Sequence, residues 1–179
     1  NLQAEGRDFS VGRLLYEDTS SGGRRSVGWM GTNIDHPGID ASVNSIDAHY
    51  FSGDNKWVVD GQIMRSDVDG VTGNGVLGDV SYRPERGVQH GLSATYMDDT
   101  LDINDLGFLS RNDQMNLDYR YFKNESDIPG LRSRGTNVFV TNRWNTNGQS
   151  VLTGIFGGRD WTFLNSNNIG FQMQYFPPR

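Results

Sequence analysis

From Met115 to Lys123 the chain alternates residue by residue, with Met115, Leu117, Tyr119 and Tyr121 apolar or aromatic and Asn116, Asp118 and Arg120 between them. That is the two-residue period of a β-strand with unlike faces. The pattern recurs along the chain. Ser10 to Glu17 alternates weakly, and Val27, Trp29 and Gly31 share a face against Ser26, Gly28 and Thr32, with Met30 out of phase. Ile46, Ala48 and Tyr50 oppose Ser45, Asp47 and His49, and then Trp57, Val59, Gly61 and Ile63 oppose Asp60 and Gln62. Val76, Gly78, Val80 and Tyr82 lead to Val88, Leu92, Ala94 and Tyr96, against Asp79 and Ser81 and then Gln89, Ser93 and Thr95. Within the second of these, His90 is polar on the apolar side. Val138, Val140 and Trp144, the run Val151 to Phe156, a segment opened by Trp161 and Phe163, and Ile169, Phe171, Met173 and Tyr175 complete the series. The spacing predicts about ten strands in an all-β barrel or sandwich.

Turn residues punctuate these segments. DTSSGGR after Glu17, DHPGID from Asp35, SGDN after Phe51, PERG after Arg83, NTNG after Trp144 and GGRD after Phe156 read as turns or tight loops. DVDGVTGNG from Asp67 and the polar stretch Asn124 to Gly135 read as longer loops. Between Ala41 and Arg120, short and long connections are thus expected to alternate, as in barrels with short periplasmic turns and long outer loops. The rule fails afterwards, where a long connection follows Lys123 and a short one follows Trp144.

Composition narrows the class. The 23 glycines and the 11% aromatic share favour short strands joined by turns. A net charge of −6 with scattered basic residues argues against a nucleic-acid binder. The absence of cysteine excludes disulfides and thiolate metal sites. No apolar run reaches the roughly 18 residues of a membrane-spanning helix, yet a barrel strand needs only about 9 to 11, half of them facing lipid.

If the apolar face meets lipid, then Asp47, His49, Asp60, Gln62, Asp79, Ser81, Gln89, Asn116, Asp118 and Arg120 point the other way, as the lining of a hydrated lumen or the contact face of a plug. The solvent face of a soluble sheet would carry the same set. Tyr50, Trp57, Tyr82, Tyr96, Tyr121, Trp144, Trp161 and Tyr175 are the candidate membrane-girdle aromatics. In a soluble sandwich they would be ordinary cross-strand contacts. Asp98, Asp99, Asp102 and Asp105, and likewise Asp67, Asp69 and Asn74, offer oxygen ligands, but not at EF-hand spacing, and solvated loops are the expectation. His36, His49 and His90 have no local metal-ligand spacing, and no Gly-x-Ser-x-Gly elbow is present. No cofactor, metal or catalytic residue is assigned.

The motif NDLGFLSRND, with Asn104, Asp105, Leu106, Gly107, Phe108, Leu109, Arg111, Asn112 and Asp113, resembles a segment of a family of bacterial outer-membrane β-barrels of uncharacterised function. In that family the barrel usually follows a periplasmic module similar to family-nine carbohydrate-binding domains. The resemblance implies an antiparallel up-and-down transmembrane barrel in the outer membrane of a Gram-negative bacterium. It also implies more barrel than these residues supply, because the family places further strands after the motif. GFQMQYF resembles the terminal strand signal of such barrels until Pro177, Pro178 and Arg179 follow.

The expected reading is therefore one region, residues 1–179, forming a portion of a larger barrel that acts as a scaffold or conduit, in carbohydrate-related uptake or export. Its partners would be the lipid bilayer, other outer-membrane or periplasmic proteins and a carbohydrate ligand, with no nucleic acid. Two alternatives stand beside it. One is a soluble secreted β-sandwich or barrel that binds a carbohydrate or other ligand through exposed Trp and Tyr. The other is an outer-membrane hydrolase in which Asp and His residues, His49 or His90 among them, converge at the lumen mouth.

Overall fold

The computed structural model describes residues 8–20, 22–36, 39–103 and 111–178. Over these the chain forms ten strands: β1 (Asp8–Asp18), β2 (Arg24–His36), β3 (Ile39–Phe51), β4 (Trp57–Val68), β5 (Val71–Tyr82), β6 (Val88–Met97), β7 (Gln114–Ser126), β8 (Leu131–Trp144), β9 (Ser150–Phe163) and β10 (Asn168–Tyr175). Each pairs antiparallel with the next, so the spatial order is the chain order in one up-and-down sheet. No helix occurs among the described residues. β1 and β10 make no contact with each other, and the sheet is open along both edges.

The strands are longer and the connections shorter than the sequence pattern implies. The stretch read as a loop from Asp67 to Gly75 is mostly strand: Asp69 (φ 50°) and Gly70 (φ 79°) alone turn the chain between β4 and β5. Two successive positive φ values make a hairpin turn whose twist matches its strands, and Asp-Gly suits it. The polar stretch from Asn124 is likewise β7 continuing to Ser126 and β8 starting at Leu131, with positive φ at Asp127 and Gly130 closing the turn. GGRD does not turn the chain. Gly157 to Asp160 lie inside β9, paired with β8 on one side and β10 on the other. Short and long connections therefore do not alternate. One long connection, between β6 and β7, stands among short ones.

The register sorts residues between two faces. Leu14, Trp29, Ile46, Ile63, Val76, Tyr96, Met115 and Trp144 are successive cross-strand partners from β1 to β8 on an apolar face. On the other face Glu17, Ser26, His49, Asp60, Asp79, Ser93, Asp118 and Thr141 succeed one another in the same way.

Burial is concentrated on the polar face. The buried strand residues Ser26, Ile34, Ala41, Ser45, Ser66, Met97 and Thr141 all project from the polar face; Val88, at the start of β6, is the exception. The large side chains of the apolar face are exposed, among them Trp29, Ile46, Ile63, Val76, Leu92, Met115, Leu117, Phe171 and Met173. Burying apolar surface is the main favourable contribution in a water-soluble fold, and in this sheet that surface is left uncovered.

What core there is lies at the end of the sheet where the long connection begins. Leu101 is fully buried, against Ser66, Gly73 and Gly75 on the polar face of β4 and β5.

Candidate functional site

The polar face has two parts, a row of ionic side chains midway along the strands and a strap laid over one end. In the row, His49 Nδ1 meets Asp60 Oδ1 across the β3–β4 pair. Ser93 donates its hydroxyl hydrogen to Asp79 Oδ1, and Arg120 donates to the same Ser93 Oγ at 2.9 Å while standing 3.9 Å from Asp79. Arg13 reaches across β2 to Asp47 at 3.2 Å. Gln62 stands directly opposite Asp47, and Asn116 opposite Thr95 and Arg143. Ser81 accepts from Gln89 Nε2 at 3.1 Å. The polar residues read from the alternation therefore share one face, and several are bound into a network of partners.

Two atoms in that row lack partners among the described residues. Asp118 Oδ1 and Thr141 Oγ1 are buried without a hydrogen bond, and their residues face each other across the β7–β8 pair. Buried polar atoms are seldom left so, and an ordered water is the usual occupant of such a gap. Beyond Thr141 the face turns aromatic. Phe139 and Phe156 pack with ring centroids 5.7 Å apart, and Phe156 meets Phe176 edge-on at 5.4 Å. The sequence reading missed this cluster; its signal was the phase of Phe139 and Phe156, which fall out of step with Val138, Val140 and Ile155.

The strap is the start of the β6–β7 connection. Asp98 accepts from the Asn74 backbone N–H (2.6 Å) and Nδ2 (3.2 Å), and Thr100 donates to the Thr72 carbonyl at 2.8 Å. The Asp102 N–H donates to Ser66 Oγ at 3.0 Å. These bonds carry the backbone across the polar face of β5, where the absence of a side chain at Gly73 leaves room for Leu101. Of the motif after it, Asn104, Asp105, Leu106, Gly107, Phe108 and Leu109 lie outside the described residues. Arg111, Asn112 and Asp113 tie the return of the chain. Asn112 Nδ2 donates to the carbonyls of Asp99 and Leu101, the Arg111 carbonyl accepts from Gln114 Nε2, and Asp113 Oδ1 accepts from Thr146 N–H (2.9 Å) and Oγ1 (2.5 Å). The Thr146 hydroxyl, and after it the Thr146 amide, hold the Asp113 carboxyl below the usual carboxylate range.

The acidic loops do structural work where they are described. Asp98 caps Asn74, Asp67 accepts from the Gly70 N–H at 3.0 Å, and Asp69 from the Asp40 N–H at 3.0 Å. Among the described residues, no group of three His, Asp or Glu side chains converges as a metal site. His49 and His90 project from opposite faces and do not converge. Ser26, His49 and Asp60 do succeed one another in one row, but no hydrogen bond joins Ser26 to His49. The side chain of His36 lies outside the described ones.

The aromatic candidates lie on the apolar face. Trp57 opens β4, and Tyr82, Trp144 and Tyr175 close their strands; Tyr50, Tyr96 and Trp161 lie one or two residues from strand ends. Tyr121 stands mid-strand, because β7 continues to Ser126. Trp57 stacks on Tyr82 at 4.1 Å, and the line continues through His90 to Tyr121 at 5.1 Å, with Tyr119 Oη 2.9 Å from His90 Nδ1.

No curated protein and no solved structure matches the chain. A family model does, over residues 18–178, from the end of β1 through β10. Its description is "Domain of unknown function (DUF5916)", and the chain belongs to that family.

Proposed function

We propose that the chain forms part of the wall of a bacterial outer-membrane β-barrel, a scaffold or conduit whose apolar face meets lipid and whose polar face meets a hydrated lumen. The observation that carries this reading is the distribution of burial: large Trp, Ile, Leu and Met side chains stand uncovered along the apolar face, while the buried strand residues, Val88 aside, project from the polar face. Lipid is the solvent for which such a face is suited, and an up-and-down antiparallel order is the topology of spanning barrels. The open edges at β1 and β10 then pair with further strands of the same barrel, since unpaired backbone in hydrocarbon is costly. The Leu101 strap, lying on the lumen side, narrows one mouth. A carbohydrate-related cargo rests on the resemblance of the NDLGFLSRND segment alone.

Membrane fractionation of the full-length native protein, followed by a heat-modifiability gel on the detergent extract, tests the reading. Recovery in the outer membrane with a heat-dependent band shift is expected. Recovery in the soluble fraction would overturn it and make the exposed Trp and Tyr side chains a ligand-binding surface.

A further inference from the structure

We infer that the apolar face carries a binding site for the headgroup of an amine-bearing phospholipid, centred on Arg65; the inference rests on that face meeting lipid. Gly31, Asn44, Arg65 and Asn74 are successive partners across β2 to β5. They form the row next to Trp29, Ile46, Ile63 and Val76, so the face changes there from apolar to polar within one step of the pleat. Between the two rows lies a cleft of about 320 Å³, lined by Trp29, Ile46, Ile63 and Val76 on the apolar side and by Asn44, Arg65 and Asn74 on the polar side. Trp29 forms one wall: its ring lies against Gly31 and Gly12, where a Cβ would meet it at 2.5 Å and 3.5 Å.

Arg65 is exposed and has no ion-pair or hydrogen-bond partner among the described residues. Three other cations on this face are engaged. Lys123 and Arg134 hold Glu125 at 3.1 Å and 2.7 Å, and Arg159 lies over Trp161 at 5.6 Å. A guanidinium left free at the edge of an apolar band is placed to take a phosphate by paired N–H···O bonds. The carboxylates near it define the rest of the headgroup. Asp98 is turned onto Asn74, but Asp67 projects from the same face as Arg65, roughly 7 Å along β4, and uses one oxygen on the Gly70 amide. A free phosphate would be repelled by Asp67. A phosphate joined to a primary ammonium would place one charge on Arg65 and the other on Asp67, with an acyl chain lying in the cleft along Trp29 and Ile63.

Native mass spectrometry of the full-length protein, extracted in mild detergent, tests this with phosphatidylethanolamine, phosphatidylglycerol and inorganic phosphate as probes. Wild type is expected to retain phosphatidylethanolamine over phosphatidylglycerol and to release neither to millimolar phosphate. Arg65→Gln should retain about tenfold less, and Asp67→Asn should lose the preference for the amine lipid. An unchanged heat-dependent band shift shows that each variant is folded. Equal retention by wild type and Arg65→Gln would overturn the site, and so would equal retention of the two lipids by wild type, a comparison that needs no variant. Displacement by inorganic phosphate would overturn a lipid source. A protein that never enters the membrane fraction sinks the barrel reading itself, which is a separate outcome.

Discussion

Leu101 lies against Gly73 so closely that a Cβ at position 73 would run into the Leu101 backbone. The strap can cross β5 because that position is glycine, and backbone cannot give way as the end of a flexible side chain can. Gly73→Val should therefore expel the strap while β4 and β5 keep their pairing. Limited proteolysis of the full-length protein should show new cleavage between residues 98 and 103. Leu101→Ala should loosen the same segment, with a cost near the lower end of the ~2 to 5 kcal/mol of buried leucine truncations, since a surface strap relaxes more readily than a core. Unchanged protection in Gly73→Val would mean that the strap docks elsewhere.

Leu117 and Asn116 are neighbours in β7 on opposite faces, so substitutions at the two test whether the apolar face meets lipid. Leu117 is 42% exposed, so in water an arginine there would be nearly neutral. In the middle of a lipid-facing wall the same change costs about 2 to 4 kcal/mol. Leu117→Arg and Val80→Arg are expected to lose that much folding stability in phospholipid vesicles, while Asn116→Arg loses less than about 1 kcal/mol as a lumen substitution. Equal tolerance of all three would remove lipid from the apolar face.

The phase of the strands was legible because a period of two needs no knowledge of partners. Met115, Leu117, Tyr119 and Tyr121 declare a face by themselves, whereas the partner of His49, Asp60, follows only from the register. Glycine-rich segments were misread because glycine marks a loop or a strand with equal ease. Asp69-Gly70 is a turn, whereas Gly73 and Gly75 belong to β5 and Gly157 and Gly158 to β9. What separates them is the strand alongside, which local composition does not contain. The strap was invisible for the same reason. Leu101 looks like any apolar residue in an acidic loop until the register sets Ser66 beside Gly73 beneath it.

Trp57 and Tyr82 are direct partners across β4 and β5, stacked at 4.1 Å with ring planes 26° apart. Stacked aromatic pairs contribute about 0.5 to 1.5 kcal/mol beyond the area they bury. A double-mutant cycle on Trp57→Ala and Tyr82→Ala, read as unfolding free energy in vesicles, should return a coupling in that range. A coupling near zero would mean that each ring is held by its surroundings and not by the other.

Asp113 closes the β6–β7 connection onto the β8–β9 turn through both donors of Thr146. These bonds favour the ionised carboxylate, so its pKa is lower in the closed form than when the tie is open. The tie therefore contributes fully above the ordinary carboxylate range, weakens as the pH falls below about 4, and is lost once the pH passes the depressed value. Hydrogen exchange at the Thr146 amide reports this directly. Asp113→Ala should exchange several-fold faster than wild type at neutral pH, and the ratio of the two rates should close toward one in acid. Comparing variant and wild type at each pH removes the intrinsic acid slowing of exchange. A ratio that stays constant from neutral to acid would mean that Asp113 acts through its shape and not its charge, and Asp113→Asn, which keeps the shape, should then exchange like wild type throughout.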